Sequence, residues 1–293
     1  MHFKRSLISA VLLLSLSSSY AQDKPSSYQS TSLVEASYTG GSDVKEGLTA
    51  RGDLDTVMTR VGYKVTNISK PNYQWYVGLE WERWGFGTQA GVPVPNTLNT
   101  LELRIGNSWK VSDRWILQAD ASPGLYSDME DIDMGDLNAP LSVRAIFLQS
   151  RSFQWVAGLS ANFKGEIPVV GGIGFQWMPS EDWTLKFGLP ETRLTYDISD
   201  RFELYGTANL TGNAFRVSED FGTRMGRPSL DDQDVTYREI RTGLGLGIDI
   251  TEKMSVGIEG GWVVDRRFDF PDANLLINGD GAAYFRLAIT GRY

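Results

Sequence analysis

The sequence predicts an all-β protein, a single antiparallel transmembrane β-barrel of about fourteen strands, with twelve or sixteen as the alternatives. Three observations carry that prediction. A short polar turn recurs along the chain, an export signal precedes it, and the chain closes on an alternating strand with a terminal aromatic. The turn reads Val111-Ser112-Asp113-Arg114-Trp115, Ile198-Ser199-Asp200-Arg201-Phe202 and Ile250-Thr251-Glu252-Lys253-Met254. A looser copy is Met178-Pro179-Ser180-Glu181-Asp182-Trp183. In each, an apolar residue leads into a compact polar turn and a second apolar residue opens a new alternating run. That is the signature of tight hairpins.

The first element is the signal. Lys4 and Arg5 form a positive n-region, Leu7 to Leu16 is an apolar run, and Ser19-Tyr20-Ala21 is a small-x-small cleavage site. The apolar run is too short to span a bilayer as a helix, so residues 1–21 read as a secretory signal peptide cleaved after Ala21. Residues 22–29 form a polar leader, expected to be disordered and too short to plug a pore. The barrel domain is expected over 30–293.

Period-two alternation then sets the strands. They are expected at 30–39, 54–66, 72–85, 97–110, 114–123, 139–149, 153–163, 168–178, 183–189, 192–198, 201–213, 236–250, 254–265 and 282–293. In the third, Tyr73, Trp75, Val77, Leu79 and Trp81 alternate with Gln74, Tyr76, Gly78, Glu80 and Glu82. In the thirteenth, Val256, Ile258, Gly260, Trp262 and Val264 alternate with Gly257, Glu259, Gly261 and Val263. In the last, Phe285, Leu287 and Ile289 alternate with Arg286, Ala288 and Thr290.

Alternation alone does not separate a soluble sandwich from a membrane barrel, but loop lengths do. Short connections at 67–71, 111–113, 150–152, 179–182, 199–200 and 251–253 alternate with mostly long ones at 40–53, 86–96, 124–138, 164–167, 190–191, 214–235 and 266–281. Short periplasmic turns and long outer loops are the outer-membrane pattern. Tryptophan placement agrees. Trp75, Trp109, Trp115, Trp155, Trp177 and Trp183 fall near one set of strand ends, and Trp81, Trp84 and Trp262 toward the other rim. Indole prefers the membrane interface.

Composition narrows function. The chain carries 36 acids against 28 bases, for a formal charge of −8. Removal of Lys4 and Arg5 with the signal makes it two units more negative, which disfavours nucleic acid. There is no cysteine, and the one histidine is His2, inside the signal. Ser-His-acid and Cys-His catalysis are therefore excluded after cleavage. Loss of a base that titrates near neutrality argues against an enzyme generally, and no cofactor motif stands out.

Candidate site residues come from the polar faces. Glu80, Glu82, Glu102, Arg104, Arg238, Glu259 and Arg286 fall on the expected inward face. Ionised side chains are costly against lipid and cheap against water or each other, so they form either a polar channel lining or an internal ion-pair network. The loop bearing Asp128, Glu130, Asp131, Asp133 and Asp136 reads mainly as a solvated outer loop. Its functional alternative is a divalent-cation site. Asp231, Asp232 and Asp234 form a weaker cluster. The row Gly243, Gly245 and Gly247 lies within a strand with no helix after it, so it fits strand bending or close lumen packing better than phosphate binding. The sequons at Asn67 and Asn209 carry no weight here.

The segment Phe187-Gly188-Leu189-Pro190-Glu191-Thr192-Arg193-Leu194-Thr195-Tyr196, followed by Ser199-Asp200-Arg201-Phe202, resembles an uncharacterised family of bacterial outer-membrane β-barrel proteins, known as a domain of unknown function. The resemblance is specific over 183–215 and extends in layout over most of the chain. It implies the barrel and the outer membrane, and brings no catalytic or binding residues. The C-terminal strand ending at Tyr293 also resembles the signal read by the barrel-assembly machinery, with Phe285, Leu287, Ile289 and Tyr293 in place and Gly291 departing from the pattern. Outer-membrane lipid is the other expected partner. The expected function is a passive pore or transport barrel for small solutes or lipophiles. The alternative is a structural or adhesion barrel, which calls for exposed loop-tip aromatics such as Phe221, Phe268 and Phe270.

Overall fold

The computed structural model describes residues 27–89 and 91–293. The expected signal peptide and most of the expected leader lie outside the described residues. The strands in chain order are β1 Tyr28–Glu46, β2 Thr49–Lys70, β3 Tyr73–Thr88, β4 Thr97–Lys110, β5 Trp115–Ala121 with Gly124–Ser127, and β6 Leu137–Asn138 with Leu141–Leu148. They continue as β7 Phe153–Ala161, β8 Val169–Trp177, β9 Trp183–Phe187, β10 Glu191–Ser199, β11 Phe202–Arg216, β12 Asp234–Thr251, β13 Met254–Phe270, and β14 Leu275–Gly279 with Ala282–Arg292. The interruptions in β5 and β6 fall at Pro123 and Pro140, which lack the N–H that a ladder needs.

Each strand pairs antiparallel with its chain neighbours. β1 pairs with β14 from Thr31↔Arg292 through Thr39↔Tyr284 and on to Glu46↔Ile277, which closes a fourteen-stranded barrel. Closure pairs the first and last strands, so the sheet has no free edge at β1 or β14, the condition for backbone polar groups to survive in hydrocarbon. All fourteen expected strands are present. The chain pairs from Tyr28, two residues inside the expected leader.

The two barrel ends differ. One carries tight connections such as 71–72, 200–201 and 252–253, hereafter the turn end. The other, the loop end, carries 89–96, 128–136, 162–168 and 217–233. Two expected long loops are instead strand. β1 and β2 run on to a two-residue turn between Glu46 and Thr49, and β13 reaches Phe270. The reason is a phase shift. Pairing slips between Thr39 and Ser42, so the buried row changes from Glu35, Ser37 and Thr39 to Val44. β13 slips likewise around Asp265, and the buried row changes from Glu259 and Val263 to Arg266, Phe268 and Phe270. A bulge adds one residue and flips every later side chain to the other face, so alternation read in one phase ends at the bulge.

The outward face is apolar. Val77, Leu79, Trp81, Leu101, Leu103 and Ile105 are all exposed, as a lipid-facing surface requires. Trp75, Trp109, Trp115, Trp155, Trp177 and Trp183 are exposed near the turn end, as expected. Trp84 is a correction. It has the parity of Glu80 and Glu82, points inward and is fully buried.

Trp84 belongs to a packed core inside the barrel at the loop end. Strands supply Leu54, Met58, Trp84, Phe86, Tyr237 and Phe268 among others, and loops insert Val92, Val94, Val217, Phe221 and Leu230. Ring centroids of Trp84 and Tyr237 lie 5.0 Å apart, and those of Phe86 and Phe268 4.9 Å apart. β3 is no ladder neighbour of β12 or β13, so these contacts cross the lumen. A parallel pairing of Ser127 with Arg216 pins β5 to β11 over the same mouth. Each buried aromatic contributes about 1.5–3 kcal/mol by leaving water, so the mouth is held shut by many such terms.

Candidate functional site

Beneath the apolar plug the inner wall is charged. Arg286 is the centre of one cluster. Its Nε donates to Glu35 Oε1 at 2.9 Å, and its Nη1 reaches Glu259 Oε2 at 3.2 Å. The Tyr284 hydroxyl donates to the other oxygen of Glu259 at 2.5 Å. Arg60 bridges Glu35, Glu80 and Glu82, with Nε 2.8 Å from Glu82 Oε2. Arg104 joins Glu102 at 3.0 Å to Glu80 at 3.7 Å. Trp84 Nε1 donates to Glu82 Oε1 at 2.7 Å, which ties the plug to the ionic belt. Higher up, Arg241 pairs with Glu239 and lies over the rings of Trp84 and Tyr284. Buried charges persist only when paired and hydrogen-bonded, and each of these is.

Six of the seven expected lining residues, Glu80, Glu82, Glu102, Arg104, Glu259 and Arg286, meet in this belt. Arg238 does not. It lies on the opposite face of β12 from the buried Tyr237, Glu239 and Arg241, and pairs with Glu166 of a loop at 3.4 Å. Reading β12 from its glycine row, Gly243, Gly245 and Gly247, would have placed Arg238 outside. Those glycines face inward and leave room for large neighbours. A Cβ on Gly245 would stand 2.2 Å from Tyr205 Cζ, and one on Gly243 2.3 Å from the Tyr284 hydroxyl. Sequence reasoning missed Glu35, Arg60, Glu239 and Arg241. Glu35 and Arg60 sit in ordinary alternating rows, so period two contained the signal.

The acidic loop resolves into local structure. Asp128 Oδ2 accepts from Ser218 N at 2.8 Å, Glu130 pairs with Arg224, and Asp133 with Asp136 caps a short 3-10 turn. Asp131 shows no shared site with them. Among the described residues no three acids or other ligating side chains gather to hold a metal. Burial pushes the Asp128 and Asp136 carboxyls above their ordinary range. Of the second cluster, Asp231 engages Thr223, while Asp232 and Asp234 share Arg216, with Lys164 near Asp234 as well. Phe221, Phe268 and Phe270 are all buried, so the three aromatics that the adhesion reading calls for are packed inside the barrel mouth and not displayed at its loop tips.

One part of the wall is incomplete. β8 pairs with β9 only over Phe175↔Phe187, Gln176↔Lys186 and Trp177↔Leu185. Above that level, residues 169–174 of β8 have ladder partners only in β7, and residues 210–215 of β11 only in β12. The short β9–β10 hairpin forms the lower edge, with Leu210 N donating to Pro190 O at 2.8 Å. The 162–168 loop bridges the top, where Asn162 Nδ2 donates to Asn213 Oδ1 at 2.8 Å and Glu166 N to Thr236 Oγ1 at 3.2 Å. Exposed Ile173 and Leu189 line the outer rim. Gly172 has the inward parity, and a Cβ there would meet nothing within 4 Å.

The break lies at membrane depth. β8 climbs about 3.4 Å per residue at a tilt of roughly 40°, so 169–174 stand roughly 8–20 Å above Trp177, within an apolar band of about 25 Å. Unpaired backbone facing lipid costs several kcal/mol per group, so this gap is an expensive feature for a simple wall.

The fold is shared with solved outer-membrane proteins. The COG4313 outer membrane channel from Pseudomonas putida F1 matches with a TM-score of 0.52 at 7% identity, covering 93% of this chain and 100% of that one. The TodX monoaromatic hydrocarbon channel, as a deltaS2 mutant, matches with a TM-score of 0.50 at 9% identity, covering 92% and 91%. At such identities the likeness shows the fold alone. No curated protein matches the sequence. The family model described as Domain of unknown function (DUF6268) matches residues 29–276, and the chain belongs to that family.

Proposed function

We propose that the protein is a passive transport barrel that moves small apolar solutes between the barrel lumen and the membrane through the break beside β8. The carrying observation is the combination of a plugged mouth and an incomplete wall. Axial passage meets Trp84, Phe86, Tyr237 and Phe268 packed across the lumen. Sideways passage meets glycines and exposed aliphatic side chains. An apolar solute crosses such an edge without the desolvation penalty that a polar one incurs. In this reading the turn end faces the periplasm, the signal is removed after Ala21, and the strand ending at Tyr293 is presented to the assembly machinery.

The test is uptake of 1-N-phenylnaphthylamine by cells with an intact lipopolysaccharide leaflet. Expression of the full chain should speed uptake over the empty vector. Gly172→Trp, which fills open space, should return it to background while heat-shifted gel mobility stays normal. Wild-type rates in the Gly172→Trp variant would overturn the route. Planar-bilayer recordings of the refolded protein should show no stable ion-conducting steps, because the mouth is packed.

A further inference from the structure

The lumen holds a second feature that the break does not explain. At the turn end, the inner walls of β1 to β6 enclose a cavity of about 500 Å³. Gly62 lines it, and Gly78 and Gly106 occupy inward positions on the next two strands, where neighbouring side chains fill the space that a Cβ would take. A Cβ on Gly106 would stand 2.4 Å from Tyr76 Cε1, and one on Gly78 3.2 Å from Lys64 Cβ. The missing side chains let Tyr76 and Lys64 lie against the wall.

Three cations face this space: Lys64, Arg104 and Arg144. Tyr76 is fixed by its hydroxyl, which donates to Asp120 Oδ1 at 2.5 Å, and Asp120 is in turn held by Arg144 Nη2 at 3.0 Å. Arg104 is tied to Glu80 and Glu102. Lys64 differs. Its Nζ lies 5.1 Å from the centroid of the Tyr76 ring, and among the described residues no carboxylate comes within ion-pair distance of it. Arg144 also spends only one donor on Asp120, and half of its side chain is open to water. A guanidinium offers five donors, so Arg144 keeps donors to spare where it lines the cavity. Arg104 and Arg144 are thus matched by Glu80, Glu102 and Asp120, and Lys64 is the cation lining this space that has no ion pair among the described residues.

Around these cations stand neutral hydrogen-bonding groups, among them Thr31, Thr66, Gln74, Ser108 and Gln118. A cavity of this size fits a small organic molecule rather than a bare ion. From this juxtaposition we infer that the chamber is a binding site for a small hydrophilic organic acid, whose carboxylate is held by Lys64 and Arg144 and whose hydroxyls meet the neutral side chains. The inference rests on the transport reading only in taking the lumen as open to water from the turn end.

Isothermal titration of the refolded full chain at low salt tests it, with gluconate, glucose and inorganic phosphate as probes. Gluconate should bind and glucose should not. Lys64→Gln should weaken gluconate at least about tenfold, the scale of one lost charge-assisted contact, and Lys64→Arg should restore most of it. Lys64 is exposed and carries no ion pair, so folding should survive, with heat-shifted mobility as the control. Absence of gluconate binding, equal binding of glucose, phosphate binding as tight as gluconate, or an unchanged affinity in Lys64→Gln would each overturn the assignment. Gly172→Trp should leave gluconate binding intact, so loss of apolar uptake in that variant and loss of the acid site are separate failures.

Discussion

At the residue scale, the interior is set by pairings in which no member is spare. Arg286 serves Glu35 and Glu259, both almost fully buried. Arg286→Met keeps the volume and removes the charge, which leaves two carboxylates without their shared partner. Breaking a buried pair in this way costs about 3–5 kcal/mol. The expected result is a lower temperature for the heat-induced mobility shift than in the wild type. Gly245→Val tests packing rather than charge. The new Cβ would meet the Tyr205 ring, which itself carries the Arg193 guanidinium 3.6 Å from its centroid. Overpacking typically costs 1–3 kcal/mol, and a lower urea midpoint should report it. Glu80, Glu82, Glu102, Arg104, Glu259 and Arg286 were legible in the sequence because period two holds between bulges, while Glu35, Arg60, Glu239 and Arg241 were missed. What each one pairs with was not legible, since Glu35 and Arg286 meet only when the first and last strands close the barrel.

At the element scale, strand existence was readable and strand extent was not. The recurring Ser-Asp-Arg turns fix the turn end by local geometry, and every one of them falls between two observed strands. The loop end depends on bulges, which shift the phase of alternation within β1 and β13 and so hide buried Val44, Phe268 and Phe270 from a single-phase reading. The 217–233 loop is likewise set by distant partners. Arg227 Nη2 donates to Glu46 Oε2 at 2.8 Å, and that hydrogen bond holds the Glu46 carboxyl below its ordinary value. A depressed carboxylate stabilises the folded arrangement above its unfolded pKa and loses that contribution as pH falls through the lowered value. The chain has no cysteine, so a spin label on Ser229→Cys reports this loop alone. Its motion should be restricted at neutral pH and become freer only in acid, once pH has fallen below the ordinary carboxylate range. In Glu46→Gln it should be freer throughout, with little pH response.

At the scale of the whole molecule, strand height divides the barrel into two sectors. β1, β2, β12 and β13 have 17 to 22 residues each, while β7 to β10 have 5 to 9. The tall sector extends above the apolar band and folds its own core across the mouth; the short sector barely reaches through it and leaves the break. One molecule thus closes its axial path with the same asymmetry that opens its wall. The two paths should therefore respond to different substitutions. Phe86 and Phe268 touch each other across the plug at 4.9 Å, and neither lines the break. Truncating both to alanine costs about 3–5 kcal/mol each; the continuous ladders of the tall sector, from β11 round to β4, are expected to bear it. The double variant should give discrete ion conductance in planar bilayers where the wild type gives none. Its uptake of the apolar probe should stay near the wild-type rate. Conductance without change in apolar uptake would assign the plug to ion exclusion and the break to transport. A parallel rise in both would mean that solutes of either kind use the axial path once it opens.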